Sequence, residues 1–300
     1  MTSRDLASAS QTLQTSRPWS GSLQISFARQ GTETRISDRR TQAPLKLQRP
    51  FYPEGPEVCH SVVLHTAGGI VGGDRLRSQI ALHPGAQALM TSAAAGKVYR
   101  SAGETASQDT SISIGSGACL EWFPQEIILF NGARYHQQTR VCLEGDAMWM
   151  GWDIVRLGRS ARGERFETGS WRSLTTVHQG GRLVWVDPVG VNGGSPILSS
   201  PAGLNHASVV GTFAAIGRDA PPSLAAACRQ VSLRQVQGCG AGGQARGLAD
   251  FGATRLMSGL LCRYRGHSTA QAKRWFEQVW TLVRKHYWQR PVCRPRIWPR

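Results

Sequence analysis

A chain of 300 residues with 40% hydrophobic and 18% charged side chains can bury a full core and is too apolar to stay disordered. No apolar run approaches the roughly 18–20 residues of a membrane helix, which excludes a helical membrane protein. The formal charge of +16 comes almost entirely from 31 Arg against 4 Lys, and it suits either nucleic acid or an acidic protein face.

Residues 1–18 are rich in Ser, Thr and Gln and lack the apolar stretch of a secretory signal. They read as a loose tail ahead of a single domain at 19–300. The seven cysteines, at 59, 119, 142, 228, 239, 262 and 293, are odd in number and form no C-x-x-C pair. They read as reduced thiols of a cytoplasmic protein. Strand-like alternation begins at 23–27. Short runs recur at 58–64, 76–82, 86–90, 110–114, 119–123, 126–130, 139–143, 147–157, 165–177, 182–189 and 209–216. Turn signals separate them: Pro84-Gly85, Gly115-Ser116-Gly117, Asn131-Gly132, Gly145-Asp146, Gly180-Gly181 and Asn192-Gly193-Gly194. This spacing predicts a mainly β body, solenoid-like or of stacked sheets, with a few helices.

One turn stands apart. After the apolar run 61–64 comes His65-Thr66-Ala67-Gly68-Gly69-Ile70-Val71-Gly72-Gly73-Asp74. Gly68 to Gly73 has the glycine spacing of a phosphate loop. Asp74-Arg75, however, stands where Lys and Ser or Thr are required, and a carboxylate there repels phosphate. The segment reads instead as a backbone-critical turn, its glycines permitting positive φ and close approach. His60 and His65, five apart on a strand, point to opposite faces and make no joint metal site. His65 is expected to make a structural hydrogen bond.

Glu121 and Glu126 flank Trp122-Phe123-Pro124-Gln125 beside the apolar run 127–130. Carboxylates among core residues are costly unless paired, hydrated or bound to a cation. Pairing with Arg100 or Arg134 is one expectation. The other is a water-filled passage whose weak oxygen ligands pass a divalent cation without trapping it. Residues 222–227 suggest a short helix and 231–236 a strand. The run Gly238-Cys239-Gly240-Ala241-Gly242-Gly243 matches G-x-G-x-x-G, yet no acid follows about twenty residues on, so it reads as a loop. Ala272, Trp275, Phe276, Val279, Trp280, Val283 and Tyr287 fall at helical spacing behind Ser268-Thr269 as caps. This aromatic stripe packs either on the protein's own sheet or in a partner's groove. No G-x-S-x-G elbow and no H-E-x-x-H occurs, and spacing identifies no triad, so no enzyme is expected.

Together these segments resemble the urease accessory protein UreD (UreH) family. The resemblance runs in one order over residues 20–298. It is carried by the glycine turn at 65–74 and by Thr91-Ser92-Ala93-Ala94-Ala95-Gly96-Lys97-Val98-Tyr99-Arg100-Ser101. Leu120-Glu121-Trp122-Phe123-Pro124-Gln125-Glu126 follows, then Gly151-Trp152-Asp153 with Leu157-Gly158-Arg159 and Gly163-Glu164-Arg165-Phe166. Ser200-Pro201-Ala202-Gly203-Leu204 and Arg294-Pro295-Arg296-Ile297-Trp298 complete it. The chain departs from the family at Thr66-Ala67, where Pro-Pro is usual, and at Gly96, where Thr usually precedes the lysine.

The resemblance implies a non-enzymatic scaffold and metallochaperone. It would act with UreF and the GTPase UreG to deliver nickel(II) to apo-urease, holding the ion only transiently and no cofactor tightly. It also implies an internal nickel tunnel, for which Asp74, Glu121, Glu126, Asp153 and Glu164 are the passage candidates. His65, Gly68, Gly69, Gly72 and Gly73 form a structural motif. Residues 251–300 hold 9 Arg and 2 Lys against Glu277 alone, which makes Arg284 and Lys285 the docking candidates for UreF. There is room for a homodimer within the accessory complex. The rival readings are a basic β-rich nucleic-acid-binding protein, although no zinc-finger spacing or RNA-binding signature occurs, and a hydrolase on a β-rich scaffold.

Overall fold

The computed structural model describes residues 18–237 and 249–298. Its strands are β1 (Ser20–Gln30), β2 (Glu33–Gln42), β3 (Leu45–Leu47), β4 (Val58–His65), β5 (Arg75–Leu82), β6 (Gln87–Ser92), β7 (Gly96–Val98), β8 (Ala106–Ile114) and β9 (Cys119–Trp122). They continue with β10 (Ile127–Leu129), β11 (Arg134–Leu143), β12 (Met148–Leu157), β13 (Ser170–Gln179), β14 (Arg182–Asn192), β15 (Val209–Ile216), β16 (Asp250–Leu256) and β17 (Gly259–Gly266). The helices are α1 (Pro222–Gln237) and α2 (Thr269–Trp288).

The strands form two sheets. One has the order β14-β13-β11-β8-β5-β1-β2. The other has β16-β17-β15-β12-β9-β6-β4-β3, with β10 joined to β12 and β7. From β4 to β13 the chain passes back and forth between them. Thus β5, β8, β11 and β13 stack in parallel in the first sheet, and β4, β6, β9 and β12 in the second. This is the solenoid-like, mainly β body that the strand spacing predicts. Successive coils turn at a common corner. Gly85 N donates to Ser116 O at 2.9 Å, and Gly117 N to Asp146 Oδ1 at 2.7 Å.

Two apolar cores follow from the period-two pattern. Between the sheets, Ile25, Ile80, Ile112, Val141 and Val177 lie side by side in register, a ladder of β-branched side chains suited to a pleated surface. Behind the second sheet, Met150 and Trp152 of β12 and Phe213 of β15 pack against Trp275, Phe276, Val279 and Trp280 of α2. The aromatic stripe therefore packs on the protein's own sheet. Ser268 caps α2 as expected, its hydroxyl accepting the Gln271 N–H at 3.2 Å. Among the described residues no helix is long and apolar enough to cross a membrane.

The structure corrects several boundaries. Residues 231–236 are not a strand. They continue α1, where Val231 packs against the helical core. The strand expected from residue 165 begins only at Ser170, because 165–169 form a loop. Strands β2, β3, β7, β16 and β17 escape sequence reading, although in β17 buried Leu260, Cys262 and Tyr264 alternate with Leu261, Arg263 and Arg265. β2 is a sheet edge with arginines at consecutive positions. The tail at 1–17, Cys239 and the glycine run 238–243 lie outside the described residues. Among the described residues, Cys59, Cys119, Cys142, Cys228, Cys262 and Cys293 form no disulfide.

Candidate functional site

Most inward positions of the two sheets are apolar, but polar rows break the pattern, among them Gln108, Gln137 and Ser173 in register on β8, β11 and β13. In the first sheet Thr110, Thr139 and Thr175 stand in register on β8, β11 and β13, and the row ends in Asp187 of β14. In the second, Asp153 of β12 neighbours Thr212 of β15, which neighbours Arg263 of β17. These rows line a cavity of about 250 Å³ between the sheets, walled in part by Trp149, Trp171 and Trp185.

Hydrogen bonds cross this cavity. Gln137 Nε2 donates to Asp153 Oδ2 at 2.9 Å. Arg263 Nη1 donates to Asp187 Oδ2 at 2.9 Å and to Thr212 Oγ1 at 2.6 Å, while its Nη2 donates to Asp187 Oδ1. The indole N–H groups of Trp149 and Trp171 and the Oε1 of Gln137 are buried without a protein partner. Buried polar groups need partners, and a cavity of this size has room for water to serve them. Burial pushes the Asp153 carboxyl up from 3.8 to about 6; the neighbouring charge of Asp187 adds to the rise and the Gln137 bond opposes it. An open groove of about 650 Å³ follows the cavity along β12, from Val155 to Leu157, and past the end of β17 to His267. Glu164, His206 and His267 line it.

The five carboxylates singled out on the sequence do not form one passage. Only Asp153 lines the cavity. Asp74 is buried and organises the glycine turn: its Oδ2 accepts the Val71 N–H at 2.9 Å and its Oδ1 the Trp19 N–H at 2.8 Å. Glu121 lies behind the second sheet, where its Oε1 accepts from Trp280 Nε1 and Arg284 Nε, each at 2.8 Å. Its partner is thus Arg284, not Arg100 or Arg134. Glu126 accepts from Thr269 Oγ1 at 3.4 Å. Glu164 pairs with Arg159 and accepts the Asn131 N–H at 2.8 Å. Burial alone raises its carboxyl, but these bonds outweigh that and hold it below the usual range. Among the described residues no three His, Cys, Asp or Glu side chains gather as a metal cage.

Asp187, Arg263 and Gln137 were missed on the sequence. The available signal was parity. Thr110, Thr139 and Thr175 each stand two residues before an inward Ile or Val, and so face the interior.

Three glycines of the motif are constrained by the backbone, for two different reasons, whereas a Cβ on Gly68 would meet only Tyr99 Oη, at 3.9 Å. Gly73 has φ +87 and needs a residue without a Cβ. Gly69 and Gly72 are held by close approach instead. A Cβ on Gly69 would lie 2.8 Å from Lys97 O, and one on Gly72 2.8 Å from Glu104 O. The Gly68 carbonyl accepts from Tyr99 Oη at 3.0 Å, and His65 Nδ1 lies 3.2 Å from Ala67 O. Gly73→Val is expected to destabilise the fold by about 1–3 kcal/mol, measured by urea unfolding. A variant as stable as the parent would show that the turn tolerates a side chain.

The docking candidates separate. Arg284 is buried and its guanidinium is taken up by Glu54 and Glu121, so it presents no charge to a partner. The adjacent Lys285 points to solvent. Charge reversal at Arg284 would test folding, whereas reversal at Lys285 tests docking.

Compared with known proteins, residues 20–299 match the family described as UreD urease accessory protein. The chain belongs to this family. It is 47% identical to the urease accessory protein UreD of Trichormus variabilis over 280 residues, 93% of this chain and 96% of that protein. It is 48% identical to that of a Nostoc species with the same coverage. Against that of Dechloromonas aromatica it is 40% identical over 283 residues, 93% of this chain and 94% of that protein. These relatives are named as accessory proteins rather than enzymes. The motif residues traced in this member organise turns, buried pairs and core packing: Asp74 orders a turn, Glu121 a buried ion pair and Trp298 an aromatic cluster.

Proposed function

We propose that this chain is a nickel-delivery scaffold that, with UreF and the GTPase UreG, passes Ni²⁺ to apo-urease in the cytoplasm through the cavity between its sheets. The observation that carries the reading is the pair of carboxylates, Asp153 and Asp187, on the two sheets that wall one cavity inside a urease accessory protein. A cation in transit needs oxygen ligands and water, bound weakly enough to leave again. Carboxylates, threonine hydroxyls and a glutamine carbonyl provide that chemistry without a soft, tight ligand set.

The test is the nickel content and activity of urease matured with Asp153→Asn plus Asp187→Asn, beside recovery of the accessory complex. Nickel loading is expected to fall about fivefold or more while the complex still forms, because the chamber loses both anionic ligands. Normal loading by the folded double variant would refute the passage.

A pH dependence follows. Asp153 is raised to about 6, so the chamber is less anionic below that pH and nickel binding to the chain should climb between pH 5 and 7. The stability effect has the opposite sign. Between 3.8 and about 6 the unfolded carboxyl ionises before the folded one. This group therefore favours folding at low pH, and that contribution is lost as pH rises through the interval. Urease activation in cells lacking the chain separates this function from an unrelated enzyme or a nucleic-acid-binding protein. A steep salt dependence of RNA or DNA binding would point to the last.

A further inference from the structure

A guanidinium opposes, by its charge, the entry of a cation, and two arginines line this chamber. The chamber's charged lining residues are Asp153, Asp187, Arg263 and Arg265. Arg265 is engaged elsewhere, by Asp250 and the carbonyls of Pro201 and Gly203. That leaves one arginine facing two carboxylates. The hold is bidentate on Asp187, with Thr212 as a third contact, and it joins β17 of one sheet to β14 of the other. Yet 43% of the Arg263 side chain stays accessible to water, against 11% for Asp187. The carboxylate is buried in the wall, while water reaches the arginine along its long stem.

We propose that Arg263 is the resident counter-cation of the chamber: it occupies Asp187 when no metal is inside and yields that carboxylate to an entering divalent cation. This rests on the nickel-passage reading above. An empty chamber with two facing carboxylates would repel itself, and Arg263 compensates one of them. A divalent cation between Asp153 and Asp187 brings two charges where the guanidinium brings one. The arginine then competes for Asp187 from a tethered position, which keeps metal affinity low and favours release. Competition also limits occupancy to ions that interact with carboxylates more strongly than a guanidinium does.

The experiment measures Ni²⁺ binding to the untagged full chain by equilibrium dialysis with nickel chloride alone, beside urease loading in the assembled system. Four variants are compared with the parent: Arg263→Gln, Arg263→Lys, Asp153→Asn and Asp187→Asn. Removing the competing charge-assisted bonds is expected to tighten nickel binding about tenfold in Arg263→Gln. Arg263→Lys, which keeps the charge but loses the two-pronged geometry, should tighten it less. Both aspartate variants should weaken it, and the tighter Arg263→Gln should release nickel to urease more slowly. If the aspartate variants weaken binding but Arg263→Gln does not tighten it, the counter-cation role is wrong and the passage stands. If none of the four changes nickel binding or urease loading, the passage itself fails and the role with it. Should Arg263→Gln not fold, Arg263→Lys decides: parental affinity would overturn the proposal.

Discussion

Arg284→Met is expected to destabilise the protein by about 3–5 kcal/mol, because it breaks a buried ion pair from one side. Arg284 lies on α2 with two carboxylates around it. Glu121 comes from β9, and Glu54 from the loop before β4. Glu54 also accepts from or pairs with His60 Nε2 at 2.7 Å. These side chains are almost wholly buried: 3% exposed for Arg284, 6% for Glu121 and 7% for Glu54. Methionine matches the stem but leaves both carboxylates without their cation, and an uncompensated buried charge is the costly outcome. The measurement is urea unfolding of the parent, Arg284→Met, Glu121→Gln and the double variant. The double variant should cost less than the sum of the two single changes, since the second change relieves the charge stranded by the first. A loss below about 1 kcal/mol in Arg284→Met would show that the network contributes little.

The same network gives an acid sensitivity. Burial alone raises the Glu54 carboxyl, but bonds from His60 and Arg284, with the Arg284 charge, outweigh it and hold the group at about 2 against 4.5. A carboxyl depressed in the folded state stabilises fully above its unfolded value, and that stability is lost as pH falls through the folded one. Stability should therefore drop between pH 4.5 and about 2, and Arg284→Met should flatten that part of the curve.

The second large effect belongs to the last described residue. Trp298→Ala is expected to lose about 3–5 kcal/mol, as for other fully buried aromatics. The closing segment folds back over α2 and the second sheet. The Trp298 ring centre lies 5.2 Å from that of Trp152 and 6.0 Å from that of Trp280. The Lys273 ammonium stands 4.3 Å from it. Its indole N–H donates to Thr91 Oγ1 at 3.0 Å. Trp298→Phe keeps much of the ring contact and loses that bond, so about 1–2 kcal/mol is expected. Equal stability of Trp298→Ala and the parent in urea would show that the closing segment is not part of the core.

Sequence alone determined the character of the body and its family. Alternating runs separated by glycine turns mark a mainly β protein, since side chains on a strand alternate faces and little else needs to be known. The capped aromatic stripe marks α2 for the same local reason, and the ordered motifs from His65 to Trp298 mark the family. What failed locally was β2 and 231–236. At an edge both faces of a strand can be charged, and valines in a helix look like strand residues until packing decides.

Tertiary structure alone decided the site. Asp187 precedes a proline in what reads as an ordinary strand. Arg263 lies in a strand that sequence reading did not find. The two meet because parallel coils set Thr110, Thr139, Thr175 and Asp187 in one row, opposite Asp153, Thr212 and Arg263. Glu121 likewise meets Arg284 across a sequence separation of 163 residues. Periodicity says which side of its strand a residue faces. Only register across strands says which other residues share its row, and charges act on those neighbours through space rather than along the chain.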